Sequence, residues 1–474
     1  MRSARGPLTS PIPGATVNSA SESLGSRMAK LHVITYGCQM NEYDSERVAG
    51  LLKGQAWELT ERESEADLIL VNTCAIREKA EDKVFSKLGE LRALKGKKPE
   101  LLVGVMGCMA QLHRGEILRR APGVDLVFGS PAIARVAELV ATARRERRPV
   151  VETGEAPLVK ITAKPDGVSR LKSFVTVMEG CEKHCAFCVV PVTRGRQRSH
   201  APAAILAEIR GLAGEGCREV TLLGQTVEMY GRDLSPPTDL AALLAEVSEI
   251  AGIERLRFTT SNPFNFTRRL IHAIRDLPKV CEWVHLPLQS GSDRVLARMN
   301  RGYTRERYLA LLDELRAAVP DVALSTDLIV GFPGETEADF AQTLDVVERV
   351  AYDNVFAFRY SPRPGTPAAA MPEQIPLEVK AERNQRLLEV ATRVAAARSR
   401  RLLGRTVDVL VDGRSRKAAD ELQGRTRCHR VVNFAGGRSV TVGDVVPLRV
   451  TEVLPHSLRG TLAALPEETV CSSR

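Results

Sequence analysis

Cys181, Cys185 and Cys188 stand in the run Gly180-Cys181-Glu182-Lys183-His184-Cys185-Ala186-Phe187-Cys188-Val189, a C-x3-C-x2-C cluster. Three thiolates this close in sequence suit three irons of a 4Fe-4S cluster, and the fourth iron is then open to a small molecule. Structural zinc and a disulfide pair are the competing uses of such cysteines. A closed zinc site wants four ligands, usually two separated C-x2-C pairs or a set with His. His184 lies between two of the cysteines, badly placed to join them on one metal. The spacing, with the aromatic Phe187 just before the third cysteine, favours iron and sulfur.

A second group of three emerges from the elements that must position it. The chain has ten cysteines; the others are Cys38, Cys74, Cys108, Cys217, Cys281, Cys428 and Cys471. Strands are expected at 31–35, 67–71 and 101–106, each followed by a turn and a helical pattern. Strands alternating with helices give a parallel sheet with helices on its faces. Cys38, Cys74 and Cys108 each fall just past the end of one of these strands. In such sheets the carboxyl ends share one edge, where ligands bind. The repeated strand–turn–Cys pattern therefore predicts that these three converge, against the alternative of three unrelated buried thiols. Cys217, Cys281, Cys428 and Cys471 lack ligand-like neighbours and read as core or surface thiols.

The chain has 474 residues, long enough for two or three domains. Its net charge of +9 is compatible with a polyanionic partner without requiring one. No apolar run reaches the roughly 18 residues of a membrane helix. The cysteines of a long chain without a secretory signal suggest metal or catalytic use rather than a disulfide framework.

Residues 1–27, rich in Ser, Pro and Gly, read as an unstructured extension, either a transit peptide or the product of a start codon upstream of Met28. A first, doubly wound α/β domain is expected over 28–150 and a linker over 151–172. Six β-α units follow over 173–395, with strands at 173–178, 219–223, 255–260, 283–288, 323–330 and 354–360; they predict a partial (β/α)6 barrel. A long helix from Pro376 leads to short β-branched runs at 407–411, 430–433, 440–441 and 446–453. These suggest a small all-β barrel over 396–464, followed by a tail at 465–474.

Functional groups of such a central barrel lie at the carboxyl ends of its strands. The first cysteine cluster follows the first strand. Gln225 ends the second, Gln289 and Ser290 end the fourth, and Asp327, Ile329 and Gly331 belong to the fifth. The glycines let backbone approach a ligand, and the polar side chains could hydrogen-bond one.

The motifs together resemble the radical S-adenosylmethionine methylthiotransferase family. Tyr36-Gly37-Cys38-Gln39-Met40-Asn41, Asn72-Thr73-Cys74-Ala75-Ile76-Arg77-Glu78 and Gly107-Cys108-Met109-Ala110-Gln111 match its first three motifs, and 177–191 its radical motif. Residues 360–367, 422–426 and 430–434 match its late motifs, so the likeness runs over 28–462. It implies an N-terminal methylthiotransferase domain, a radical barrel and an RNA-contacting TRAM domain. Two 4Fe-4S clusters are implied, one on Cys181, Cys185 and Cys188 and one on Cys38, Cys74 and Cys108. S-adenosylmethionine would sit at the rim among Phe187, Gln225, Gln289, Ser290, Asp327, Ile329 and Gly331.

The resemblance further implies a tRNA substrate whose prenylated adenosine, beside the anticodon, receives a methylthio group at C2. The triplets Gln39-Met40-Asn41 and Ile76-Arg77-Glu78 favour that branch over siblings that act on threonylcarbamoyl-adenosine or a ribosomal protein. A zinc-stabilised RNA-binding module without catalysis is the alternative from another class. Arg194, Arg196 and Arg198 beside the radical cysteines, and Arg405, Arg425 and Arg430 in the last domain, are the candidate RNA contacts; the alternatives are ion pairs within the protein for the first three and solvated surface charges for the others. A flavodoxin or ferredoxin as electron donor, a monomeric state and a cytoplasmic location complete the expectation. No side chain is assigned as a catalytic acid or base. The sequence departs from the family pattern at Thr226 and Glu228, where Asn is usual, and at Asn262, where His is expected.

Overall fold

The computed structural model describes residues 28–75, 78–161, 171–259, 261–415, 418, 420–437 and 439–463. The expected extension at 1–27, most of the linker, the tail from 465, and with them Ile76, Arg77 and Cys471, lie outside the described residues.

The first unit is a parallel sheet of β1 (Ala29–Tyr36), β2 (Trp57–Leu59), β3 (Leu68–Thr73), β4 (Leu102–Met106), β5 (Leu126–Phe128) and β6 (Val150–Glu152), in the order β2-β1-β3-β4-β5-β6. Side chains alternate across a strand, so an apolar strand in the middle of a sheet feeds two cores. Leu68 and Leu70 of β3 enter one core, shared with Val48 and Leu52 of the helix Gln39–Lys53 and with Val136, Leu139 and Val140. Ile69 and Val71 enter the other, against Val84, Leu88 and Leu91 of the helix Glu78–Lys97. The sheet is wound on both faces, as the sequence predicts. The short β2, β5 and β6 escaped the sequence pattern because three-residue strands carry too few alternations to register; β6 also extends into the stretch expected as linker.

The second unit has six parallel strands. β7 (Lys172–Thr176), β10 (Glu219–Leu223) and β11 (Arg255–Thr259) form one half. β12 (Trp283–His285), β13 (Ala323–Val330) and β14 (Asn354–Arg359) form the other. A parallel bridge between Leu256 and Val280 joins the halves into an open barrel. A short antiparallel pair, β8 (Met178–Glu179) and β9 (Arg198–Ser199), brackets the radical cysteines. Helices lie on the outside, where Ile205, Leu243, Leu270, Leu312, Phe340 and Val347 share the core with the strands.

The third unit is a closed five-stranded barrel of β15 (Thr406–Arg414), β16 (Glu421–Thr426), β17 (Val431–Ala435), β18 (Val445–Val453) and β19 (Leu458–Leu462). The expected strand at 440–441 does not form, and β16 and β19 take the missing places. β16 hides in a polar sequence because Gly424, not an apolar residue, meets β15: a Cβ there would lie 2.3 Å from the Leu410 carbonyl oxygen. The helix Leu377–Arg400 runs through position 395 and leads into this barrel.

The turn between β16 and β17 plugs the amino-terminal end of the large barrel. Arg257 of β11 donates to the carbonyls of Thr426 (2.9 Å) and Arg427 (2.7 Å). Arg427 pairs with Glu282 (2.7 Å), and His429 stacks on Trp283 with centroids 4.8 Å apart. The opposite, carboxyl-terminal end faces the first unit, where Cys38, Met40 and Tyr43 meet Phe174 and Leu223.

Candidate functional site

The radical-type loop leaves β8 through Gly180, whose φ of +77° and crowded site allow no side chain: a Cβ would lie 2.0 Å from the Arg196 carbonyl oxygen. The Cys181 N–H then donates to the Gly195 carbonyl (3.1 Å), closing the base of the loop. Each of the three sulfurs accepts an N–H. Lys183 N–H reaches Cys181 Sγ (3.4 Å), Val190 N–H reaches Cys188 Sγ (3.5 Å), and Arg301 Nη1 reaches Cys185 Sγ (3.3 Å). Asn300 Nδ2 donates to the His184 carbonyl (2.8 Å), while the His184 residue itself is exposed.

Burial pushes the Cys181 thiol up and the Cys188 thiol up to about 12; Cys185 adds to the rise of the first, and Cys185 and Cys181 to that of the second. Three thiolates crowded together in a buried loop repel one another unless a cationic centre neutralises them. Among the described residues no three His, Cys, Asp or Glu side chains close around a point as a single metal ion requires; a four-iron cluster spreads its ligand sulfurs over separate corners.

The early trio is built by three strand ends. Cys38 caps the helix Gln39–Lys53, Cys74 follows β3, and Cys108 opens the helix Cys108–His113 after β4. The turns interlock. Asn41 Nδ2 donates to Asn72 Oδ1 (2.9 Å), and Asn72 Nδ2 returns to the Asn41 carbonyl (2.8 Å). Gly107, at φ +88°, gives way to Asn72, whose Oδ1 lies 2.2 Å from where a Cβ would be. A hydrogen bond with Cys74, the Arg194 charge and the N–H groups of Asn41 and Met40 pull the Cys38 thiol down to about 6 against its burial. Burial pushes Cys108 up, with Arg194 opposing.

The two trios meet. Cys108 and Ala75 share one apolar contact group with Val189, the residue after Cys188. Cys38 packs with Leu223, the last residue of β10.

At the rim, Gln225 is half-buried and its Oε1 has no hydrogen-bond partner among the described residues. Thr226 lies beside the Cys181 sulfur. Glu228, only 5 % exposed, is pushed up to about 7 by burial. Gln289 adopts φ +76° and its N–H donates to the Asp327 carbonyl (2.9 Å). The Asp327 carboxylate stands 3.5 Å from His285 Nε2. Ile329 and Phe187 pack together with Ala186 and Tyr360. Two expected contacts are otherwise engaged. The Ser290 hydroxyl faces Thr343 (3.5 Å) and accepts from the Ser292 N–H (3.3 Å). Gly331 is backed by Lys380, whose Cγ would lie 2.3 Å from a Cβ there.

The arginines expected at RNA separate into classes. Arg194 is 3 % exposed and pairs with Asp44 (2.6 Å), so it faces protein rather than solvent; its position six residues past Cys188 carries it inward. Arg196 is exposed; Arg198 is half-buried and donates to the Ala156 carbonyl (2.6 Å). Arg405 is exposed beside Asp321 (3.4 Å). Arg425 lies 3.6 Å from Asp412, and Arg430 donates to the Asp353 carbonyl (2.8 Å), so both are tied to protein. Sequence reading missed Arg301, which stands far from the cysteines in the chain and carries no motif of its own. Among the described residues no helix is long and apolar enough to cross a membrane.

Comparison with known proteins bears on the same three units. The description "Uncharacterized protein family UPF0004" matches residues 30–129, "Radical SAM superfamily" matches 175–347 and "TRAM domain" matches 400–463. A tRNA-2-methylthio-N(6)-dimethylallyladenosine synthase of Nitrosospira multiformis is 49% identical over 441 residues, covering 91% of this chain and 92% of that relative. One from Moorella thermoacetica is 46% identical and covers 91% of this chain and 97% of that relative. Among solved structures, a radical S-adenosylmethionine methyltransferase, TsrM, from Kitasatospora setae superposes with a TM-score of 0.55 at 14% identity, over 72% of this chain and 75% of that one. That likeness is one of fold.

Proposed function

The chain belongs to the tRNA-2-methylthio-N6-dimethylallyladenosine synthase family, and from that premise we propose how its residues divide the work. The activity is methylthiolation of isopentenyladenosine in tRNA, beside the anticodon, by radical S-adenosylmethionine chemistry. An iron–sulfur cluster and S-adenosylmethionine are its cofactors and tRNA its substrate. The finer reading is two 4Fe-4S clusters, the radical one on Cys181, Cys185 and Cys188 and an auxiliary one on Cys38, Cys74 and Cys108.

The C2 hydrogen of adenine is neither acidic nor open to a nucleophilic side chain. Bound iron–sulfur and S-adenosylmethionine supply the one-electron chemistry and the sulfur and methyl groups that this step needs. The protein's own work is binding and orientation. Arg301 and the N–H groups of Lys183 and Val190 hold the three radical-loop sulfurs in place. Gln225 brings an unpartnered carbonyl oxygen to the rim, suited to the amino-acid part of S-adenosylmethionine. Asp327 suits its ribose, and Phe187 with Ile329 provides an apolar wall. The stack of His429 on Trp283 and the Arg257 hydrogen bonds hold the turn of the small barrel at the far end of the large one. Arg196 and Arg405 are the exposed cations offered to the RNA backbone.

The observation that supports two cooperating centres is the contact group of Ala75, Cys108 and Val189, in which Cys108 packs against the residue that follows Cys188. Domain limits of 28–150, 173–395 and 396–464, a flavodoxin or ferredoxin donor, and a monomer belong to the same proposal. The test is anaerobic incubation of the reconstituted protein with S-adenosylmethionine, a reductant and isopentenylated tRNA, with mass spectrometry of the nucleosides. The 2-methylthio product is expected. Modification of threonylcarbamoyl-adenosine instead, or no nucleoside change by an iron-loaded protein, would refute the assignment.

A further inference from the structure

Arg194 is the last residue of the short helix Val190–Arg194 that follows the radical-type loop, yet its guanidinium belongs to the other trio. Nη2 donates to Asp44 Oδ2 at 2.6 Å, and Asp44 also accepts from Ser130 Oγ (3.4 Å). Asp44 lies on the helix that Cys38 caps. Nη1 is buried and, among the described residues, has no hydrogen-bond partner. The guanidinium stands within hydrogen-bonding reach of the Cys108 thiol, whose pKa it holds down against burial, and its charge also acts on Cys38. A buried guanidinium N–H without an acceptor is costly, and it is retained where an acceptor arrives with a ligand. At 3 % exposure no phosphate of a docked RNA can be that acceptor.

We propose that Arg194 is a positioning residue for the sulfur-bearing group held by Cys38, Cys74 and Cys108: Asp44 anchors Nη2, and Nη1 donates to a sulfur of that group. The assignment rests on the two-cluster reading above. Hydrogen bonds and net charge around cluster sulfurs set the reduction potential. Arg194 therefore favours the reduced, more negative state of the auxiliary centre. It also ties that centre to the radical loop, because one short helix carries both Val190, whose N–H serves Cys188, and this arginine.

The test uses the full chain with Cys181, Cys185 and Cys188 all replaced by Ala, so that only the auxiliary centre remains, followed by redox titration with electron paramagnetic resonance. Arg194→Gln should lower the ratio of reduced to oxidised cluster at fixed potential about tenfold, or about 59 mV for one electron. Arg194→Lys should recover most of that loss. Asp44→Asn, which removes a neighbouring negative charge and keeps Arg194, should move the ratio the other way. If Arg194→Gln fails to retain iron, the Asp44→Asn shift decides, and its absence overturns the assignment. An unchanged potential in an iron-loaded Arg194→Gln chain overturns it also. A chain that holds no iron with Arg194 intact refutes the two-cluster reading itself, and the assignment with it.

Discussion

Arg301 donates from Nη1 to the Cys185 sulfur at 3.3 Å while its Nη2 holds the Pro287 carbonyl at 3.0 Å and its Nε holds the Tyr303 hydroxyl at 3.0 Å. One buried guanidinium thus fixes a proposed iron ligand to the end of the fourth barrel strand. Charge-assisted hydrogen bonds of this kind contribute about 1.5–3 kcal/mol each. Arg301→Met is expected to lower stability by about 2–4 kcal/mol and to shed iron from the radical loop during desalting. Arg301→Lys should keep part of the iron, since it keeps the charge but not the planar fork. Wild-type iron retention in Arg301→Met would contradict this role.

Asp339 supports the same rim from behind. It accepts from Ser292 Oγ (2.6 Å), from the Thr336 N–H (2.8 Å) and from Arg294, which pairs with it. Burial alone would raise its carboxyl, but these hydrogen bonds prevail and hold it below the usual carboxylate range. A depressed folded value stabilises the protein fully above the unfolded value near pH 4, and that contribution is lost progressively as pH falls from there through the folded value. Asp339→Asn should therefore cost about 2 kcal/mol at neutral pH, and the gap to wild type should narrow below about pH 4. Denaturant titrations across that range check it; a gap that widens on acidification would be the wrong sign.

Arg196 and Arg430 should separate in RNA binding. Arg196 is exposed near the radical loop, whereas Arg430 is spent on Asp353. Arg196→Ala is expected to weaken tRNA binding several-fold and to reduce the salt slope by about one counterion. Arg430→Ala should leave the slope nearly unchanged and instead loosen the small barrel.

That small barrel is held by buried arginines of the large one. Arg257 is fully buried, pairs with Glu219 (3.1 Å) and caps the Thr426 and Arg427 carbonyls. Removing one member of a buried charged set costs about 3–5 kcal/mol. Arg257→Leu should therefore release the C-terminal barrel to limited proteolysis at 400–405 while the N-terminal sheet stays intact. Equal resistance to protease would show that the plug contributes little.

Much of this was legible in the sequence where the signal is local. The radical-type spacing, the six strand–helix alternations and the strand–turn–Cys repeat each occupy a short window. The placement of Cys38, Cys74 and Cys108 follows from parallel topology alone, because three strand ends in one sheet must share an edge. For Arg194 the sequence left RNA contact and an ion pair within the protein both open, because position in the chain says that it lies near the cysteines but not on which side of the backbone it emerges; the structure pairs it with Asp44. Arg301 and Asp339 act across long chain separations, and β16 takes its place in the barrel through a glycine rather than an apolar pattern. Such features are set by packing between elements, which no local window records.

On the proposed reading one chain holds two iron–sulfur centres near the mouth of one barrel. Iron and acid-labile sulfide per chain, measured after anaerobic reconstitution, test it most directly. The account predicts about eight irons and eight sulfides in the intact chain, and about four of each when either Cys38, Cys74 and Cys108 or Cys181, Cys185 and Cys188 are replaced by Ala. About four irons in the intact chain, lost entirely when the later trio alone is replaced, would contradict it, as would one zinc and no iron.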